Sequence, residues 1–185
     1  LKSPAPASRV TGSRTDRFVN NDRIESTMLV KANGQVTRNI RATWIRKSAE
    51  VPKEFTSSGG TAAGSDELAV LNRMIGTWDE VSIQKPAVWA PEGGRATART
   101  TRKWILDGRL ILETSIHSDG TESINLRGFD PQSKAYRSWW FNSEGHRNTA
   151  TGSWNEKSQT ISWESKLDDG KEMHISLRFP NRNQE

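Results

Sequence analysis

The sequence predicts an all-β fold, an up-and-down antiparallel β-barrel of about eight to ten strands with a short helix before its first barrel strand. Three observations predict it. From Thr77 onward apolar and polar residues alternate with a period of two. Turn signals interrupt that alternation at short, nearly regular intervals. Eight Trp in a chain that is only 32% hydrophobic supply large buried areas to a compact core.

A chain of 185 residues has room for one domain of ordinary size with tails or linkers. The net charge of +5 admits anionic partners, but Lys and Arg are interleaved with Asp and Glu. This reads as solvated surface, and no nucleic-acid partner is expected. The absence of Cys excludes disulfides, thiolate nucleophiles and thiolate metal sites and leaves the compartment open. No apolar run is long enough for a membrane-spanning helix. The chain opens on Leu1 without a signal peptide or an initiator Met, as a mature form or an excised fragment would.

Taken in order, residues 1–46 are expected to be an N-terminal tail and a β-hairpin. Residues 1–9 carry two Pro and no periodicity, so a loosely attached start is expected there. Arg23 to Val30 and Gln35 to Arg46 favour strands, and Asn33-Gly34 between them accepts the positive φ angles of a tight turn. Residues 47–67 are rich in Ser, Gly and Ala and read as a flexible linker. The barrel domain is expected over 68–185. Ser65 or Asp66 caps a brief helix carrying Leu68, Leu71, Met74 and Ile75 at helical spacing, and Gly76 stops it.

Strands are then expected over 77–84, 95–105, 109–117, 122–128, 134–142, 146–154, 159–167 and 171–179. Turn signals separate them, among them Asp107-Gly108, Asp119-Gly120, Asp130-Pro131 and Glu144-Gly145. The alternation places Ala98, Trp104, Leu110, Leu112, Ile116, Ile124 and Leu126 on the core face. It turns Arg99, Lys103, Arg109, Glu113, Asn125 and Arg127 outward. Arg17-Phe18-Val19-Asn20 is echoed by Arg178-Phe179-Pro180-Asn181. The N-terminal hairpin therefore either completes this barrel or belongs to a preceding copy of it.

Gly76-Thr77-Trp78-Asp79, Arg102 to Arg109, Phe129-Asp130, Tyr136 to Phe141 and Gly152 to Asn155 together resemble a bacterial lipocalin-like domain family of unknown function. The resemblance covers roughly residues 68–185, and Thr43 to Lys47 resembles the terminal strand of the same domain. It implies a calycin-type barrel, related in architecture to lipocalins, fatty-acid-binding proteins and nitrobindin-like haem barrels. It implies no established activity, and fold alone supplies none.

The function expected from the residues is binding of a small apolar or amphipathic ligand. Trp89, Trp104, Tyr136, Trp140 and Trp163 are the lining candidates, though aromatic residues at these positions equally suit a filled core. Trp89, in a Pro- and Gly-punctuated loop, is placed to cover the barrel mouth or to anchor a partner. Gly76, Trp78 and Arg102 form a structural signature, with a guanidinium stacked on the indole. The alternative is a non-enzymatic interaction domain repeated in a longer protein. Trp139 and Phe141 would then point outward toward the linker, the hairpin or another protomer.

No catalytic set emerges. His117, His146 and His174 stand apart from one another, and His117 and His174 are expected to face outward. No metal ligand set and no cofactor is expected; a haem barrel needs an inward axial His that nothing marks. Asp79, Glu80, Glu113 and Glu122 read as solvated surface.

Overall fold

The computed structural model describes residues 10–49, 66–86, 91–166 and 172–179. Trp89, and most of the expected linker and of the N-terminal tail, lie outside the described residues. The elements run β1 (Val10–Asn20), β2 (Arg23–Ala32), β3 (Gln35–Ser48), α1 (Asp66–Ala69), a 3-10 turn (Val70–Met74), β4 (Gly76–Gln84) and β5 (Gly94–Ile105). They continue with β6 (Leu110–His117), β7 (Glu122–Asp130), β8 (Ala135–Asn142), β9 (Arg147–Asn155), β10 (Thr160–Lys166) and β11 (Glu172–Arg178).

The strands close into one barrel in chain order, each antiparallel to the next, with β1 returning to pair with β11. The all-β, up-and-down barrel is thus as expected, with its helix ahead of β4. The described strands number eleven, because β1 adds one that period and turns did not single out. Its contribution is a parallel seam running from Thr11↔Glu172 to Arg17↔Arg178. The described residues of the two echoed segments lie side by side there, Arg17 opposite Arg178 and Phe18 stacked on Phe179 with ring centres 5.0 Å apart. The hairpin joining β2 to β3 turns at Asn33 and Gly34, with φ of 51° and 83°.

One end of the barrel is plugged by α1 and the 3-10 turn, whose Leu68, Leu71 and Met74 are buried. They meet Phe18, Ile24, Trp44, Trp78, Trp104, Ile111, Tyr136, Ile161, Trp163, Leu177 and Phe179 in one core. Four strands also grip the plug by hydrogen bonds. Trp78 Nε1 donates to the Met74 carbonyl at 2.9 Å and Arg46 Nη2 to the Arg73 carbonyl at 2.6 Å. Tyr136 Oη donates to the Glu67 carbonyl at 2.8 Å, and Trp104 Nε1 to Asn72 Oδ1 at 2.8 Å. Carbonyls of a short helical segment lack intrahelical donors, and Trp78, Arg46 and Tyr136 supply them, while Trp104 holds the segment by a side chain. Gly76, at φ 122°, begins β4 directly against β3. A Cβ there would stand 2.4 Å from the Ser48 carbonyl oxygen, so the plug can enter the barrel wall only at a glycine.

The inner and outer faces of β6 and β7 are the reverse of the expectation. Glu113, Ser115, Ser123 and Asn125 are buried, whereas Ile116 and Ile124 are 61% and 47% exposed. Leu110, Leu112 and Leu126 are half-buried on the outer face. The physical reason is that the interior holds a network of paired charges and hydroxyls, so polarity no longer reports the outside. Thr100 Oγ1 and Ser115 Oγ are hydrogen-bonded at 2.7 Å, and Ser138 Oγ donates to Asn125 Oδ1 at 2.8 Å. Polar side chains turn inward without penalty when each has such a partner.

Candidate functional site

The centre of the interior is built by β5, β6 and β7, which place Arg102, Glu113 and Arg127 on successive inward positions. Register sets Arg102 opposite Glu113 and Glu113 opposite Asn125. Arg102 Nε and Arg127 Nη1 both donate to Glu113 Oε2, the latter at 2.8 Å. Burial disfavours the Glu113 carboxylate, but the two guanidinium groups more than offset it and hold its pKa down at about 2. Burial pulls Arg127 below its ordinary value, and Glu113 opposes that shift. Expecting Glu113 at the surface was therefore wrong, since two arginines from neighbouring strands compensate its charge.

A second pair comes from the N-terminal strands. Arg14 Nε donates to Asp16 Oδ1 at 2.8 Å, and Ser26 Oγ donates to the same oxygen at 2.5 Å. Burial works against the Arg14 charge, yet Asp16 with Glu80 and Glu113 outweighs it and raises the pKa. Arg14 and Arg102 stand 5.7 Å and 5.0 Å from the Trp44 ring centre. Arg46 and Arg102 stand 4.5 Å and 5.7 Å from that of Trp78. The indoles thus space the cations apart while stabilising them. Glu80, on β4, has its carboxyl pushed up from the ordinary range by burial.

Next to these charges lies a cavity of about 250 Å³. Arg14, Asp16, Arg102, Glu113 and Arg127 form its charged wall, with Asn125, Ser138 and Asn148 beside them. Met28, Trp44, Trp140, Trp163, Met173 and Ile175 form an apolar wall. Gly152 allows Trp163 to lie against β9; a Cβ there would stand 2.8 Å from the indole ring. The Arg102 Nη1 atom is buried and has no hydrogen-bond partner.

The five lining candidates separate accordingly. Trp140 and Trp163 line the cavity. Trp104 and Tyr136 are buried at the plugged end with their polar atoms committed to the plug. Trp89 is outside the described residues. The charged wall was missed, although Arg102 shares parity with Ala98 and Trp104, which the alternation did turn inward.

Elsewhere, Trp139 and Phe141 are 37% and 46% exposed on the outer face of β8. Their register partners on β7 are Leu126 and Ile124, so an apolar stripe crosses the sheet. A wider, more open hollow of about 770 Å³ lies beside the plug and is lined by Glu67, Arg109, Lys134 and Trp154 among others. It gathers none of the paired interior charges. His174 and His146 are exposed. His117 is half-buried, 3.5 Å from Ser123 Oγ, on the inward parity of β6 rather than the outward one expected. Among the described residues no group of three or more His, Cys, Asp or Glu is arranged to hold a metal ion. No described helix is long and apolar enough to cross a membrane.

Fold and interior together define a class of protein: a closed, plugged β-barrel with a charged cavity. The chain belongs to the DUF1579 family, whose description is a protein of unknown function and whose model matches residues 64–179. That span runs from the plug to the end of β11 and leaves β1 to β3 outside it. No curated protein and no solved structure matches the chain.

Proposed function

We propose that this protein is a lipocalin-like carrier or sensor that binds a small amphipathic molecule inside its barrel. The observation that carries the reading is the cavity of about 250 Å³, polar and charged on one wall and aromatic on the other. Enclosed sites with an apolar body and a few convergent polar groups are the usual form of small-ligand sites. The volume lies just below their usual range of about 300 Å³ and up, so the ligand is small. Trp140 and Trp163 contact its apolar part.

The test is a titration of the purified chain with a panel of small aromatic and alkyl acids, alcohols and amides. Indole N–H resonances and Trp fluorescence provide the readout. Saturable shifts of the Trp140 and Trp163 indoles, with those of Trp78 and Trp104 unmoved, are the expected result. A panel that moves neither indole ends the reading.

A second reading, self-association through the outer sheet face, is favoured by the exposed stripe of Ile116, Ile124, Trp139 and Phe141. Sedimentation of the chain and of its Trp139→Ala, Phe141→Ala variant decides it. A second copy bound to this face would dissociate in the variant.

A further inference from the structure

We infer that the ligand is an uncharged carbonyl compound, its oxygen received by the side-chain amide nitrogen of Asn125 and its short apolar body lying against Trp140 and Trp163. This rests on the reading of the interior as a binding site and names the chemistry that the site selects.

The first argument is charge. Three guanidinium groups line the cavity, Arg14, Arg102 and Arg127, and three carboxylates answer them. Asp16 holds Arg14, Glu113 holds Arg102 and Arg127, and Glu80 attracts both Arg14 and Arg102. The ionic layer is balanced as it stands. An ion entering a poorly solvated space loses its water, and only an opposite charge left over compensates that loss. None is left over, so the cavity favours an uncharged molecule.

The second argument is a pair of oriented amides. Asn125 on β7, Trp140 on β8 and Asn148 on β9 occupy one register row, and all three line the cavity. Ser138 Oγ donates to Asn125 Oδ1 at 2.8 Å, and Ser165 Oγ donates to Asn148 Oδ1 at 2.5 Å. A side-chain amide has one acceptor oxygen and one nitrogen with two donors. With each oxygen engaged by a serine, each asparagine has its nitrogen left to offer. Neither nitrogen bonds another described residue, and neither is sealed in. The buried side-chain atoms left without a partner among the described residues are Asn39 Oδ1, Arg46 Nε, Thr77 Oγ1 and Arg102 Nη1. Asn125 itself is only 7% exposed, so the cavity is where its nitrogen meets a partner.

The third argument is the kind of group left open. The N–H groups of Trp44, Trp78 and Trp104 are bonded to Ser26, Met74 and Asn72. Those of Trp140 and Trp163 bond no other described residue and, like the asparagine nitrogens, are not sealed in. The uncommitted groups around the apolar wall are thus mainly donors. A carbonyl oxygen brings two lone pairs and no hydrogen of its own to place, so it complements them. At about 30 Å³ for each water in the liquid, the cavity of about 250 Å³ holds about eight waters. That volume suits a compact ketone or amide.

The experiment titrates the wild-type chain with acetophenone, N,N-dimethylbenzamide, 1-phenylethanol, ethylbenzene, benzoate and benzylamine. Two-dimensional NMR reads affinity and site together, through the Trp140 and Trp163 indoles and the Asn125 side-chain amide. The ketone and the amide are expected to bind at least about ten-fold tighter than benzoate or benzylamine, whose charges must be desolvated. They should also move the Asn125 amide resonances, whereas ethylbenzene shifts the indoles and leaves that amide in place. In Asn125→Leu, checked for folding by its amide spectrum, the affinity of acetophenone relative to ethylbenzene should fall about five-fold, as the loss of one hydrogen bond requires.

If benzoate or benzylamine binds as tightly as acetophenone, the cavity is a site but the inference of an uncharged ligand is overturned. A preference for 1-phenylethanol over acetophenone overturns the carbonyl assignment. So does ketone binding that leaves the Asn125 amide of the wild-type chain unmoved, a comparison that requires no variant. If no compound moves the indoles, the binding reading itself falls.

Discussion

Arg127 holds Glu113 through both of its terminal nitrogens, Nη1 donating to Oε2 at 2.8 Å and Nη2 to Oε1 at 3.4 Å. Because Arg102 binds the same carboxylate, a single negative charge keeps two buried cations together at the centre of the barrel.

Removing that charge should therefore be costly. Glu113→Gln preserves shape but leaves Arg102 and Arg127 facing one another uncompensated. A destabilisation of about 3–5 kcal/mol is expected, the range found when one partner of a buried ion pair is deleted. Urea unfolding measures it. Replacing all three residues by apolar ones of similar volume should recover most of the loss. A Glu113→Gln protein as stable as wild type would show that the layer is not a compensated unit.

Acid should act through the same carboxylate. The pKa of Glu113 is lowered from 4.5 to about 2, so its contribution is complete above pH 4.5 and is lost as pH falls through about 2. That shift corresponds to stabilisation on the order of 3 kcal/mol. Glu80 has the opposite sign: its pKa is raised, so its contribution is present below the ordinary value and fades as pH rises through the raised one. Surface Asp79, Asp119 and Asp130 are also lowered, by hydrogen bonds from Arg99, Thr121 and Ser133 first, and add to the acid loss. The diagnostic quantity is thus the difference between wild type and Glu113→Gln, which should shrink steeply between pH 4.5 and pH 2. A difference that stays constant over that window would contradict the assignment.

The plug and the cavity should respond to different mutations. Tyr136→Phe and Trp104→Phe each remove one hydrogen bond to the helical segment, for a loss of about 1–2 kcal/mol in stability. They should leave ligand titrations unchanged. Trp140→Ala should do the reverse, weakening binding at a small stability cost, because it is only half-buried. Thermal melts and calorimetry on the three variants separate the two roles. Altered binding in Tyr136→Phe would merge them.

Much of the fold could be read from the chain because its signals are local. Asn33-Gly34 specifies a hairpin by its own backbone preferences, and Gly76 ends a helix where no side chain fits. Leu68, Leu71 and Met74 announce a buried helical face by spacing alone. The interior could not be read this way. Whether Glu113 or Leu112 faces inward depends on Arg102 and Arg127, which reach it from strands on either side, and a single strand carries no trace of them. The alternation located the strands, but it gave the wrong face where paired charges replaced apolar side chains. β1 was missed for a related reason. Its inward positions Gly12, Arg14 and Asp16 carry no apolar side chain, and Asp16 meets Ser26 only once β2 flanks it.

The pairing of β1 with β11 has a mechanical consequence. A ring of eleven alternating strands must contain one parallel pair, and here that pair joins the first strand to the last. The start of β1 lies at the end of the barrel away from the plug and the end of β11 beside the plug, at opposite poles of the barrel. Tension drawn between those two points would load the seam lengthwise. Its evenly spaced hydrogen bonds would resist in concert instead of parting one after another, and the weakest closure in the ring would become its strongest direction under pull.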